Sequence, residues 1–103
     1  MYPTPLTSDV ARAGRALAQV GVGALAAAAD LDKGQLRRYE KGLTDLEVDE
    51  RLRLEKALRT FGVGLVPEDE HGGVGVRRVF TAEKSRRLQV MESEGGPAYH
   101  DDI

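Results

Sequence analysis

The chain has 103 residues, of which 41% are hydrophobic, a net charge of −2 and no cysteine. That length suffices for one compact core, the missing cysteines exclude a disulfide framework and a thiolate metal site and fit a reducing cytoplasm, and the charge argues against a strongly basic, non-specific nucleic-acid binder. No apolar run is long enough to cross a bilayer, the alanine-rich stretch 24–29 being brief, and residues 1–5 lack the basic and apolar regions of a signal peptide.

In chain order, Thr7 or Ser8 is placed to cap a first helix running to about Gln19, with Val10, Ala13 and Leu17 at helical spacing and facing inward. Gly21 is expected to break it. Residues 22–29 read as a short second helix that buries Leu25 and Ala26. Asp30-Leu31-Asp32 is a tight connection. Asp32 is a good N-cap for a third helix, with Gln35 three residues on, and Gly42 is a favoured stop just past Lys41. Thr44 and Glu47 have the spacing of a capping box for a fourth helix, whose inner side would carry Val48, Leu52, Leu58 and Phe61, with Leu54 beside them. Gly62 ends it.

The pattern then changes from helical spacing to short β-rich runs. Residues 63–66 and 74–79 read as two strands around a polar turn, 67–73, and so as a β-hairpin. Thr81 is placed to cap a last helix to about Glu94, marked by Leu88 and Met91, and 95–103 reads as a mobile tail. The expected fold is therefore mainly α: a four-helix domain over 1–62, then a hairpin and short helix over 63–94 suited to dimerisation.

Charge is unevenly spread. Residues 1–62 hold ten Lys or Arg and nine Asp or Glu, whereas 63–103 hold five and eight. Between Lys33 and Lys41 stand four cations, Lys33, Arg37, Arg38 and Lys41, and one anion, Glu40. At about 100° per residue, Leu36 and Tyr39 fall on one arc of the third helix. Lys33, Gly34, Arg37, Arg38 and Lys41 fall on the opposite arc, and Gln35 lies at the edge. Arg and Lys can bond guanine O6 and N7, and Gln can bond adenine N6 and N7. A cationic arc on a near-neutral body suits a specific DNA reader. It is also compatible with an ordinary solvated face, and Gln35 with a role confined to the helix start.

Leu25-Ala26, followed by the run from Asp32 to Gly42 with Leu36, Tyr39, Glu40 and Gly42 at their spacings, resembles the helix-turn-helix domain of lambdoid repressors and Cro proteins. The resemblance covers about residues 7–62, and the stretches 62–66 and 75–77 resemble a hairpin that follows the domain in some of those regulators. It implies a lambda-repressor-like fold and a transcriptional regulator of repressor type, with the helix 32–41 in a major groove. It places Lys33, Gly34 and Arg38, with Arg37 beside them, where that family reads bases. Asp32 falls at a capping position that can approach DNA. Lys41, Gly42 and Leu43 fall where phosphate is met, and Arg15 and Glu40 match an ion pair joining the first and third helices. The implied partner is a palindromic double-stranded operator bound by a homodimer, in the cytoplasm at the nucleoid. Val22, where that family has a phosphate-bonding Gln, departs from the pattern. So do Asp30, where Gly is usual, and the acidic Asp45, Glu47, Asp49 and Glu50.

Two further readings are open on the same fold. One is an antitoxin-like regulator holding a protein partner through residues 80–94. The other is a protein-interaction module with weak or no DNA binding. An enzyme is not expected: no nucleophile–base set assembles, and His71 and His100 read as loop and tail residues without metal or proton-transfer partners. The glycine pairs lack the strand, loop and helix context of a nucleotide site, so no cofactor is expected. Arg77, Arg78, Arg86 and Arg87 suit either solubility or contact with flanking phosphates.

Overall fold

The structure, a computed structural model, describes residues 6–80. The last helix, the tail, His100, Arg86, Arg87 and all but the first residue of the 80–94 partner segment lie outside the described residues. The elements are α1 (Ser8–Ala18), α2 (Val22–Ala29), α3 (Lys33–Glu40), α4 (Val48–Thr60), β1 (Val63–Val66) and β2 (Gly75–Arg78). The strands pair antiparallel, with Val63 opposite Arg78 and Val66 opposite Gly75. The fold is thus mainly helical with a two-stranded sheet, as the spacing predicts. No helix among the described residues is long and apolar enough to cross a membrane.

Leu25, Leu36, Leu54, Leu58 and Val63 are the largest fully buried side chains, one each from α2, α3 and β1 and two from α4. Val10, Ala11, Ala26, Ala29, Tyr39, Leu46 and Ala57 complete the centre of the core. Leu65 and Val76 pack onto it from the hairpin, so the sheet lies against the helices rather than apart from them. Burying a leucine contributes roughly 1.5–3 kcal/mol, which sets these side chains as the main source of stability.

Several local details differ from the sequence expectation. The first helix ends at Gln19 as expected, but the residue that breaks it is Gln19 itself, not Gly21: Gln19 is left-handed at φ 62°, and its N–H and that of Val20 bond back to Ala16 and Arg15 carbonyls. Gly21 instead starts α2. Ala13 is exposed, because the inward arc of α1 runs through Val10, Ala11 and Gly14. The start of α4 is Glu47 rather than Thr44, since Leu46 must first enter the core. Glu47 donates its N–H to Glu50 Oε1 at 2.7 Å. The inner side of α4 is Leu54, Ala57 and Leu58, with Phe61 half-buried, which is the i, i+3, i+4, i+7 arc. Val48 and Leu52 lie on the other arc and are 59% and 53% exposed.

Asp30 ends α2 in the left-handed region at φ 57°, and Leu31 N–H closes the motif on Ala26 O at 2.8 Å. Two non-glycine residues thus occupy a backbone region that glycine enters more easily. Gln19→Gly and Asp30→Gly are each expected to raise stability by about 0.5–1 kcal/mol. Urea denaturation of the single and double variants checks this. Equal or lower midpoints would show that no strain resides there.

Candidate nucleic-acid interface

The connection from α2 to α3 is three residues long, and each has a physical task. Asp30 turns the chain, Leu31 is buried, and Asp32 caps α3 by accepting Gln35 N–H on Oδ2 at 3.1 Å. At the other end, Lys41 closes α3. Gly42 follows at φ 77°, and Leu43 N–H reaches Arg38 O at 2.9 Å while Gly42 N–H reaches Tyr39 O at 2.9 Å. That double closure needs a left-handed residue at position 42, which glycine supplies. The sequence marks of both ends of α3 are therefore realised.

One side of α3 is locked down. Leu36 is fully buried and Tyr39 nearly so. Burial also pushes the Tyr39 phenol above its usual pKa. Glu40 is the one charged residue in the core among the described residues, 4% exposed. Its carboxylate accepts from Arg15 Nε at 2.8 Å and from Arg15 Nη2 at 3.0 Å, a two-point pairing across α1 and α3. The hydrogen bond to Glu40 holds the Arg15 guanidinium pKa above its ordinary value. Arg15 Nη1 also donates to Val20 O, and Arg12 Nη1 donates to the Glu40 backbone carbonyl. Two arginines of α1 thus converge on one residue of α3. The Arg15–Glu40 pair was legible through resemblance; the Arg12 contact, side chain to backbone, carries no sequence signal.

The other side of α3 faces solvent. Lys33, Arg37, Arg38 and Lys41 are all exposed, and among the described residues none of them takes part in an ion pair. Lys33 leans toward α2: a methyl group at Gly23 would stand 3.7 Å from its Cδ and Cε and 3.8 Å from its Nζ. Its ammonium therefore sits by the first turn of α2, whose N-cap, Gly21, has no side-chain cap. Val22, half-buried, packs against the core and offers no polar group there. Arg38 folds back over Gly34, and a methyl at Gly34 would stand 3.3 Å from its Nη1.

Gln35 does something the sequence did not announce. Its side-chain Nε2 donates to Glu50 Oε2 at 2.9 Å, tying the start of α3 to the start of α4. The hydrogen bonds from Glu47 N–H and then Gln35 hold the Glu50 carboxyl below its usual pKa. The acidic residues near α4 are thus largely engaged: Glu47 and Glu50 at the helix start, and Asp49 with Arg53 at 2.9 Å. Arg53 also donates to the carbonyls of Ala29 and Asp30, satisfying the end of α2.

Glu55 is the polar group left unsatisfied on α4, its Oε2 buried without a hydrogen-bond partner. Burial raises its carboxyl pKa. A carboxyl raised on folding favours the folded state below its unfolded pKa and loses that contribution as pH climbs through the folded value. Glu55→Gln is therefore expected to stabilise the protein at neutral pH by up to about 1 kcal/mol. The gain should vanish below the ordinary glutamate range. Thermal midpoints of both proteins against pH test this, and a gain that persists in acid would contradict it.

Among the described residues no group of His, Cys, Asp and Glu could hold a metal ion. No protein-family model matches the chain, and no curated protein matches it.

Proposed function

We propose that the chain is a sequence-specific, DNA-binding transcriptional regulator that inserts α3 into a major groove through a helix-turn-helix formed by α2 and α3. One observation carries the reading. Lys33, Arg37 and Arg38 of α3, with Lys41 at its C-cap, stand outward without an ion-pair partner among the described residues, while the same helix is fastened from behind by Leu36, Tyr39 and the Glu40–Arg15 pair. A fixed rod with free long-chain donors is what base-edge recognition requires.

Arg38, near the middle of the exposed arc, is the principal base reader in this proposal. Lys41 at the end of α3 and Lys33 beside the first turn of α2 meet phosphates. The uncapped N–H groups at that turn of α2 favour an anion as well, which offsets the missing polar group at Val22. Gln35 has its amide nitrogen engaged by Glu50, so it supports α3 from the edge rather than leading recognition. The regulator would act as a repressor on a palindromic site, as a homodimer.

A second reading, a protein-interaction module on the same fold, draws on the exposed Leu43, Val48 and Leu52 close in sequence to Asp45, Glu47 and Asp49. Substitutions separate the two. Arg38→Ala is expected to weaken binding to a preferred duplex by about 1–3 kcal/mol and to relax preference at one base position. Lys41→Ala should weaken all duplexes alike. Fluorescence anisotropy with DNA from upstream of the chain's own gene checks both, and indifference to Arg38→Ala would favour the interaction module.

A further inference from the structure

The exposed arc of α3 is not uniformly basic. At its start, the Asp32 carboxylate and the Arg38 guanidinium both border the space that a side chain at Gly34 would occupy. A Cβ built on Gly34 would lie 3.1 Å from Asp32 Oδ2 and 3.3 Å from Arg38 Nη1. The two groups nonetheless make no ion pair with each other. What results is a notch at the Gly34 backbone that is bordered by both an acceptor and a fork of donors. Asp32 Oδ2 takes one hydrogen bond, from Gln35 N–H, which leaves Oδ1 for a further donor.

We propose that this notch reads a single G·C base pair, with Arg38 donating to guanine and Asp32 accepting from its paired cytosine. The inference rests on the DNA-binding reading above and names the sequence element that the site takes. A G·C pair presents two acceptors, N7 and O6, followed by one donor, the cytosine N4 amine. A donor fork beside an acceptor matches that order. An A·T pair presents an acceptor, a donor and another acceptor before its methyl group, which sets like against like at both groups. The carboxylate also has a reason to be there: it would repel phosphate, but it gains a charge-assisted hydrogen bond from the cytosine amine. Gly34 is required because a side chain would occupy the space through which the base edges approach.

The test uses the full chain and a library of randomised duplexes, selected for binding and then assayed singly against variants of the selected site. Wild type is expected to select a site containing a G·C pair whose exchange for A·T weakens binding about tenfold or more. Gly34→Ala favours the helix and fills the notch, the ends of the Asp32 and Arg38 side chains shifting by a few tenths of an ångström to admit it. It should erase that discrimination, so that the selected site and its A·T exchange bind within about twofold of each other. Asp32→Asn keeps the cap and should also lower the G·C preference, now without filling the notch. Salt-dependent binding whose base preferences stay unchanged in Gly34→Ala and Asp32→Asn would overturn this inference alone. A wild-type chain that binds no duplex would overturn it together with the DNA-binding reading.

Discussion

Replacing Arg15 by alanine is expected to lower folding stability by about 3 kcal/mol, at the low end of the 3–5 kcal/mol range for breaking a buried pair. The reason lies with the partner left behind. The Glu40 side chain is 6% accessible and the Arg15 side chain 28%. Removing Arg15 strands a buried carboxylate, whereas water entering the vacated space limits the loss. The converse change, Glu40→Gln, should cost less, because Arg15 can reach solvent and the amide oxygen still accepts a hydrogen bond. Urea denaturation at neutral pH decides the matter, since a fall in midpoint at constant slope reads as lost stability. In a domain of this size the whole margin is about 5–15 kcal/mol, so 3 is a large share. Equal costs for Arg15→Ala and Glu40→Gln, or a cost near zero for the former, would mean that the pair does not fasten α3.

The other large effect concerns Leu36. It is 0% exposed, whereas Leu52 is 53% exposed. Leu36→Ala is expected to cost about 2–5 kcal/mol, from lost transfer energy together with the cavity beneath α3. Leu52→Ala removes the same atoms from a site already half in water and should cost within about 0.5 kcal/mol. The contrast isolates burial from chemistry. It also reaches the proposed function: with Leu36 truncated, α3 loses its seat, so DNA affinity should fall although no exposed cation has changed. Comparable costs for the two leucines would show that α3 is not seated as the fold places it.

How much of this could be read from residues alone depended on whether the determining interaction was local. Both ends of α3 were legible, because Asp32 and Gly42 act within a few residues of themselves. The hairpin was legible for the same reason, though β2 runs over Gly75–Arg78 and is shorter than the run 74–79 suggested. The end of α1 was legible in position but not in cause, since the left-handed residue there is Gln19, a type that gives no stop signal, and not Gly21. The start of α4 was misplaced because Thr44 and Glu47 have capping-box spacing, while the need to bury Leu46 is a tertiary demand that spacing does not express. The same shift explains Val48 and Leu52, read as inward but lying on the outer arc. The candidate site divides along similar lines. Its cations came from helical periodicity and the Arg15–Glu40 pair from resemblance. The Gln35–Glu50 bond, the Arg12 contact to the Glu40 carbonyl and the notch at Gly34 join side chains across helices or depend on where long side chains fold, so no periodicity marks them.

The most direct test of the whole account is the binding constant for double-stranded DNA measured across a series of salt concentrations. A cationic α3 that meets phosphates must release counterions, so the logarithm of the constant should fall linearly with the logarithm of salt, by about 0.9 per phosphate neutralised. The slope should drop by about 1 in Lys41→Ala. A chain that stays unbound at low salt, or one whose binding ignores salt, would contradict the placement of α3 against DNA.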